Sequence, residues 1–161
     1  MDKPFNGYIK PKNEIRQDEK LILQPVFVVS VEVFTRGLLR RPEYRYYQAV
    51  VDASTGNSEF FPDGSVSVLE EEPPAGKAIP PVIDASQAVA VAELDARHSG
   101  RQGWKAVFGS AYVKARKESV VATWRVWVLL EDSMTDSLTG RKIDGAVFLA
   151  NFLNRGGPEG K

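Results

Sequence analysis

The chain of 161 residues contains no cysteine and a single histidine. Without thiols, disulfides, thiolate nucleophiles and cysteine zinc sites are excluded, and one histidine cannot build a multi-histidine metal centre. An excess of one charge is also missing, because 21 Lys and Arg balance 21 Asp and Glu. A nucleic-acid binder draws affinity from phosphate neutralisation and usually carries a basic excess, so composition disfavours that class and names no partner. Long apolar runs are absent too. The longest, Val26 to Phe34, is interrupted by Ser30 and Glu32 and falls far short of the ~20 residues of a spanning helix. Met1 to Gly7 holds no apolar core of signal-peptide type. Two expectations follow: the protein is not exported, or it is extracytoplasmic and a targeting segment has been removed. Neither G-x-G-x-x-G nor G-x-x-x-x-G-K-[ST] occurs, so no nucleotide cradle and no cofactor are expected.

What is present is an ordinary globular mixture, 43% hydrophobic and 26% charged, long enough for one domain or two small units sharing a core. Residues 1–20, with Pro4, Gly7, Pro11 and a mixed-charge run, read as an N-terminal arm. Residues 21–72 read as a first β-rich unit. Leu21 to Thr35 alternates as a long strand, Arg36 to Pro42 makes a basic connection, and Tyr44 to Asp52 returns as its hairpin partner. Short strands are expected at Asn57 to Phe61 and Ser65 to Leu69. Glu70-Glu71-Glu72-Pro73-Pro74 runs into a Pro-rich linker over residues 73–82.

A second α+β unit is expected over residues 83–153, before a Gly-rich tail at 154–161. It opens with a helix at 84–98, where Asp84 and Gln87 form a capping-box variant and Gly100 supplies the stop. Ala85, Ala88, Val89, Ala92 and Ala96 lie on one face, widened by Val91 and Leu94. Two strands follow, Trp104 to Arg116 and Ser119 to Glu131, joined at Lys117-Glu118, and then a long turn from Asp132 to Gly140. Ala146 to Leu153 reads as a last apolar element. The expected fold is α+β: antiparallel sheet with one principal helix and two repeated β-hairpin units.

The repeat rests on two D-x-x-T-G segments, Asp52-Ala53-Ser54-Thr55-Gly56 and Asp136-Ser137-Leu138-Thr139-Gly140, each following a long strand. Ile83 to Ala92, the strand segment Trp124-Arg125-Val126-Trp127-Val128 and the second D-x-x-T-G together resemble the PepSY pattern. The resemblance is best over residues 82–145, with a degenerate first copy in 21–61. It implies a bacterial envelope or secreted protein that binds and restrains another protein, such as a peptidase.

Candidate chemistry is sparse. His98 beside Ser99 sits near the helix end, where an imidazolium suits the macrodipole better than a proton relay. Glu131, Asp132, Asp136 and Asp144 gather around one loop and offer oxygens to calcium without matching the D-x-D-x-D-G spacing. Arg36, Arg40, Arg41 and Arg45 interleave with Tyr44, Tyr46 and Tyr47, a pattern that serves base stacking or a solvated hairpin tip equally. Trp124 and Trp127, three apart on a strand, point to opposite faces, so at most one joins a core and the other becomes a surface anchor. The candidate binding residues are therefore Arg40, Arg41, Tyr44, Tyr46, Trp124 and Trp127. No catalytic residue or metal ligand is assigned. The expected function is a non-catalytic binding or regulatory module for another protein. The alternatives are a cystatin-like small-ligand pocket and, behind it, a nucleic-acid site on the hairpin.

Overall fold

The computed structural model describes residues 5–37, 43–103 and 109–145. Along the chain run β1 (Tyr8–Ile9), β2 (Lys20–Gly37), β3 (Glu43–Asp52), β4 (Ser58–Pro62), β5 (Val68–Leu69), β6 (Lys77–Ala78), α1 (Ala85–Gly103), β7 (Gly109–Leu129), β8 (Ser133–Asp136) and β9 (Lys142–Asp144). The strands form one nine-stranded sheet whose main path is β4-β3-β2-β7-β1-β5.

This corrects the expected antiparallel sheet with two repeated hairpin units. The sheet is mixed, because β1 runs parallel to β7 and β6 parallel to β2. The two halves are also unequal. β3 pairs with β2 from Glu43 to Asp52, whereas β8 pairs with β7 only from Met134 to Asp136. The reason is that β2 and β7 are each other's main partner, antiparallel from Lys20↔Leu129 to Gly37↔Gly109. Two long, strongly β-branched strands satisfy their backbone groups against one another, and the halves fuse into one sheet.

Other boundaries shift for similar reasons. Lys117-Glu118 is no turn between strands. β7 runs through it, and register steps from Val28↔Val121 to Ser30↔Arg116, so residues 117–120 stand opposite Val29 alone as a bulge. The arm contributes β1, the Pro-rich linker contributes β6, and Asp132 to Gly140 contains β8. Gly100 does not stop α1, which continues to Gly103. The element expected at 146–153, like Arg40, Arg41, Trp104 and the tail, lies outside the described residues.

The helix start behaves as its sequence reads. The Asp84 amide donates to Gln87 Oε1 and the Gln87 amide to Asp84 Oδ1, each at 2.9 Å, a reciprocal capping box. Ala88, Val89, Ala92 and Ala96 are buried against Phe27, Val29, Val31, Val33, Ala49 and Val51. Leu94, expected to widen that face, is exposed instead. The opposite sheet face holds a smaller cluster of Ile9, Val26, Val28, Val50 and Val66. Both faces of β2 are therefore covered along its middle.

Candidate functional site

Three arrangements gather polar or aromatic side chains. The first is a buried ionic cluster under the second D-x-x-T-G turn. Arg125, on β7, is buried and sends Nε to Asp136 Oδ1 at 3.0 Å, while its Nη2 meets Asp136 Oδ2 and, at 3.1 Å, Glu59 Oε1. Arg141 approaches the other Glu59 oxygen at 3.9 Å. Burial works against the charge on Arg125, yet Asp136 and Glu59 outweigh it and hold the guanidinium above the ordinary arginine value. Beside it, Trp127 is buried, donates Nε1 to Gln24 Oε1 at 2.8 Å, and lies with its ring centroid 5.6 Å from the Arg125 guanidinium carbon. Trp127 is thus a structural side chain of this cluster. The guanidinium occupies the space that a cation bound to Asp136 would need. Among the described residues no three His, Cys, Asp or Glu side chains converge as metal ligands.

The second arrangement is the far end of β3. Tyr44 is 53% exposed and Tyr46 is 47% exposed. Tyr44 packs on Phe34 with centroids 4.8 Å apart, and Arg45 pairs with Glu43 at 3.1 Å. Desolvation first, then the Glu32 carboxylate, raises the Tyr46 hydroxyl above its ordinary value, and Glu32 also faces Arg116 at 3.9 Å. The described part of this patch therefore interleaves acids with its bases rather than presenting a continuous positive surface.

The third is a groove beside β7, of about 1290 Å³ and open to solvent. Its floor is Phe5, Leu23, Ala122 and Trp124, and its far wall is the segment from Glu70 to Gly76. Local sequence explains the wall. Pro73 and Pro74 cannot extend β5, and the backbone at Gly76 lies so close to Leu21 that an added Cβ would sit 2.9 Å from its carbonyl oxygen. Trp124 is half-buried, with its ring 5.4 Å from that of Phe5, which in turn packs at a tilt of 51° against Phe27 at 5.1 Å. Val121 on the same strand is exposed. At the rim the Tyr8 hydroxyl donates to Glu71 Oε1 at 3.3 Å. Desolvation first, and then the Glu71 charge, raise the Tyr8 hydroxyl above its ordinary value.

Of the candidate binding residues, the structure therefore places Tyr44 and Tyr46 together on the hairpin, Trp124 in the groove, and Trp127 in the buried cluster on the opposite face. Phe5 and the three glutamates, which complete the groove, escaped the sequence reading. The Glu-Glu-Glu-Pro-Pro run was visible, but only the fold carries it back across the face of β7.

Set against known proteins, the chain matches no family model, no curated protein and no solved structure. The geometry above is accordingly what any functional reading stands on.

Proposed function

We propose that the protein is a non-catalytic module that binds another protein through the groove beside β7. The observation that carries this reading is the shape of the groove. At about 1290 Å³ it exceeds the ~300–1,000 Å³ typical of small-molecule sites, and it is open to solvent rather than enclosed. A half-buried tryptophan on an apolar floor is the kind of anchor on which interface energy concentrates. Size and openness favour a peptide segment over a small ligand, and the lack of cysteine with one histidine fits a role without covalent chemistry. The PepSY-like run over residues 82–145 supports the same class of role.

Selection of displayed random peptides on the immobilised protein tests the reading. Enriched peptides should lose about tenfold or more in affinity for Trp124→Phe, since interface tryptophans are common hot spots, and should be indifferent to Tyr44→Ser. Peptides that ignore Trp124 and follow Tyr44 would move the site to the hairpin.

A further inference from the structure

Building on the groove reading, we infer that the segment it takes is basic, with one arginine whose stem lies on the apolar floor at Trp124 and whose guanidinium meets the glutamate wall. The lining is one-sided in charge. Glu70, Glu71 and Glu72 line the groove, and among the described residues no lysine, arginine or histidine does, although acids and bases balance over the whole chain. All three glutamates are exposed, and among the described residues none forms a salt bridge. Glu71 accepts from the Tyr8 hydroxyl at 3.3 Å, a single bond that leaves a carboxylate most of its acceptor sites.

Recognition falls to side chains, because the backbone edge of β7 at the floor is already engaged. The Ala122 carbonyl accepts from the Asn6 amide at 3.1 Å, and Tyr8 pairs at Trp124. What the floor still offers is apolar surface at Ala122 and the half-buried Trp124. Floor and wall belong to one groove, so the same side of the occupant meets both. Arginine suits the two together: its methylene stem covers apolar surface, and its planar guanidinium presents a fork of donors that matches carboxylates. A bare metal ion has no such stem and needs converging ligands, and among the described residues no three His, Cys, Asp or Glu side chains converge in that way.

The test uses the full chain and peptides selected on it from a random display library, resynthesised with a fluorophore and read by anisotropy. Peptides whose binding depends on Trp124 should carry arginine. Replacing that arginine by citrulline, which keeps its shape and removes its charge, should weaken binding about fivefold, and the E70Q/E71Q/E72Q triple variant should weaken the parent peptide to the same degree. The triple variant should leave the citrulline peptide unchanged, because a coupled pair is lost only once. Raised salt should weaken the parent peptide more than the citrulline one. The three glutamates are exposed, and glutamine in place of Glu71 keeps an acceptor oxygen for the Tyr8 hydroxyl, so the triple variant retains the fold, which native tryptophan emission checks. If Trp124-dependent peptides lack arginine, bind the triple variant unchanged, or lose as much affinity there with citrulline as with arginine, the basic occupant is overturned while the groove reading stands. If no selected peptide depends on Trp124, both fall. If arginine amide alone displaces the peptide at the peptide's own concentration, the occupant is a small cation and the basic segment is overturned.

Discussion

The two D-x-x-T-G turns are built alike and sit on different foundations. In the first, the Asp52 amide donates to Asn57 O, the Gly56 amide returns to Asp52 O, and the Ala53 amide reaches across to Pro25 O. In the second, the Asp136 amide donates to Arg141 O, the Gly140 amide to Asp136 O, and the Ser137 amide to Val126 O. The side chains match too: Thr55 and Thr139 hydroxyls donate to the Oδ2 atoms, and the Ser54 and Leu138 amides to the Oδ1 atoms. The difference is the remaining hydrogen bond. Asp52 Oδ1 receives the Ser54 hydroxyl at 2.6 Å, whereas Asp136, fully buried, takes the Arg125 guanidinium. A short polar turn motif thus satisfies its own aspartate when the next-but-one residue is serine. When that residue is leucine, the turn requires a cation from the strand beneath.

The largest expected effect breaks this difference. Arg125→Met leaves a buried carboxylate without its counter-charge and should cost about 3 kcal/mol in chemical denaturation, at the low end for such pairs because Thr139 and Leu138 still donate to Asp136. Adding Asp136→Asn should recover much of that loss, since the amide oxygen still accepts from the Leu138 amide, the amide nitrogen donates to the Thr139 hydroxyl in place of accepting from it, and no charge remains buried. If the double variant is as unstable as the sum of the singles, the pair is not what the second turn needs. The next test sharpens the likeness. Gly56 and Gly140 have φ of 84° and 77°, a region costly for residues with a Cβ. An added Cβ at Gly56 meets nothing, and one at Gly140 meets only the Lys12 side chain, at 3.5 Å. Gly56→Ala and Gly140→Ala should therefore destabilise almost equally, each by about 1 kcal/mol; clearly unequal losses would mean that the turns differ in backbone strain.

The smallest effect distinguishes the flanks. β6 pairs with β2 through Lys77 and Ala78, while β1 places the ionisable Tyr8 beside Trp124. The folded protein raises the Tyr8 hydroxyl, so it favours the protonated form. That contribution is fully present below the unfolded tyrosine value and is lost as pH rises past about 10. Wild-type protein should therefore lose slightly more stability than Tyr8→Phe above that pH, with phenolate absorbance reporting a late-titrating group. Identical alkaline profiles would show that the Tyr8–Glu71 contact contributes nothing at the groove rim.

Much of the local structure was legible because local chemistry fixes it. The capping box at Asp84 and Gln87 and both aspartate turns formed as their residues read, through contacts a few positions apart, and the alternation over 21–35 marked the strand that β3 and β7 pair. The sequence misled where a residue's role depends on a distant partner. Lys117-Glu118 reads as a turn, but β2 holds β7 in register on both sides and converts it to a bulge. Leu94 differs: at about 100° per residue it stands roughly opposite Ala92 and Ala96 on α1, so the helix period itself turns it outward, and it is exposed. Trp124 and Trp127 were placed on opposite faces correctly by the period of a strand; that period could not show that Trp127 is sealed by Gln24 and Arg125 while Trp124 opens onto a groove.

The sequence by itself determined which segments are extended, where the helix begins, how each D-x-x-T-G turn hydrogen-bonds itself, and which chemistries lack their residues. Those features follow from side-chain period and neighbour-to-neighbour bonding. Only the tertiary structure decided that the halves share one mixed sheet, that Arg125 lies under Asp136, and that Phe5, Trp124 and the three glutamates face one groove. Each of these depends on the pairing of β2 with β7 and on loops that cross it, contacts between residues too far apart along the chain for their spacing to specify.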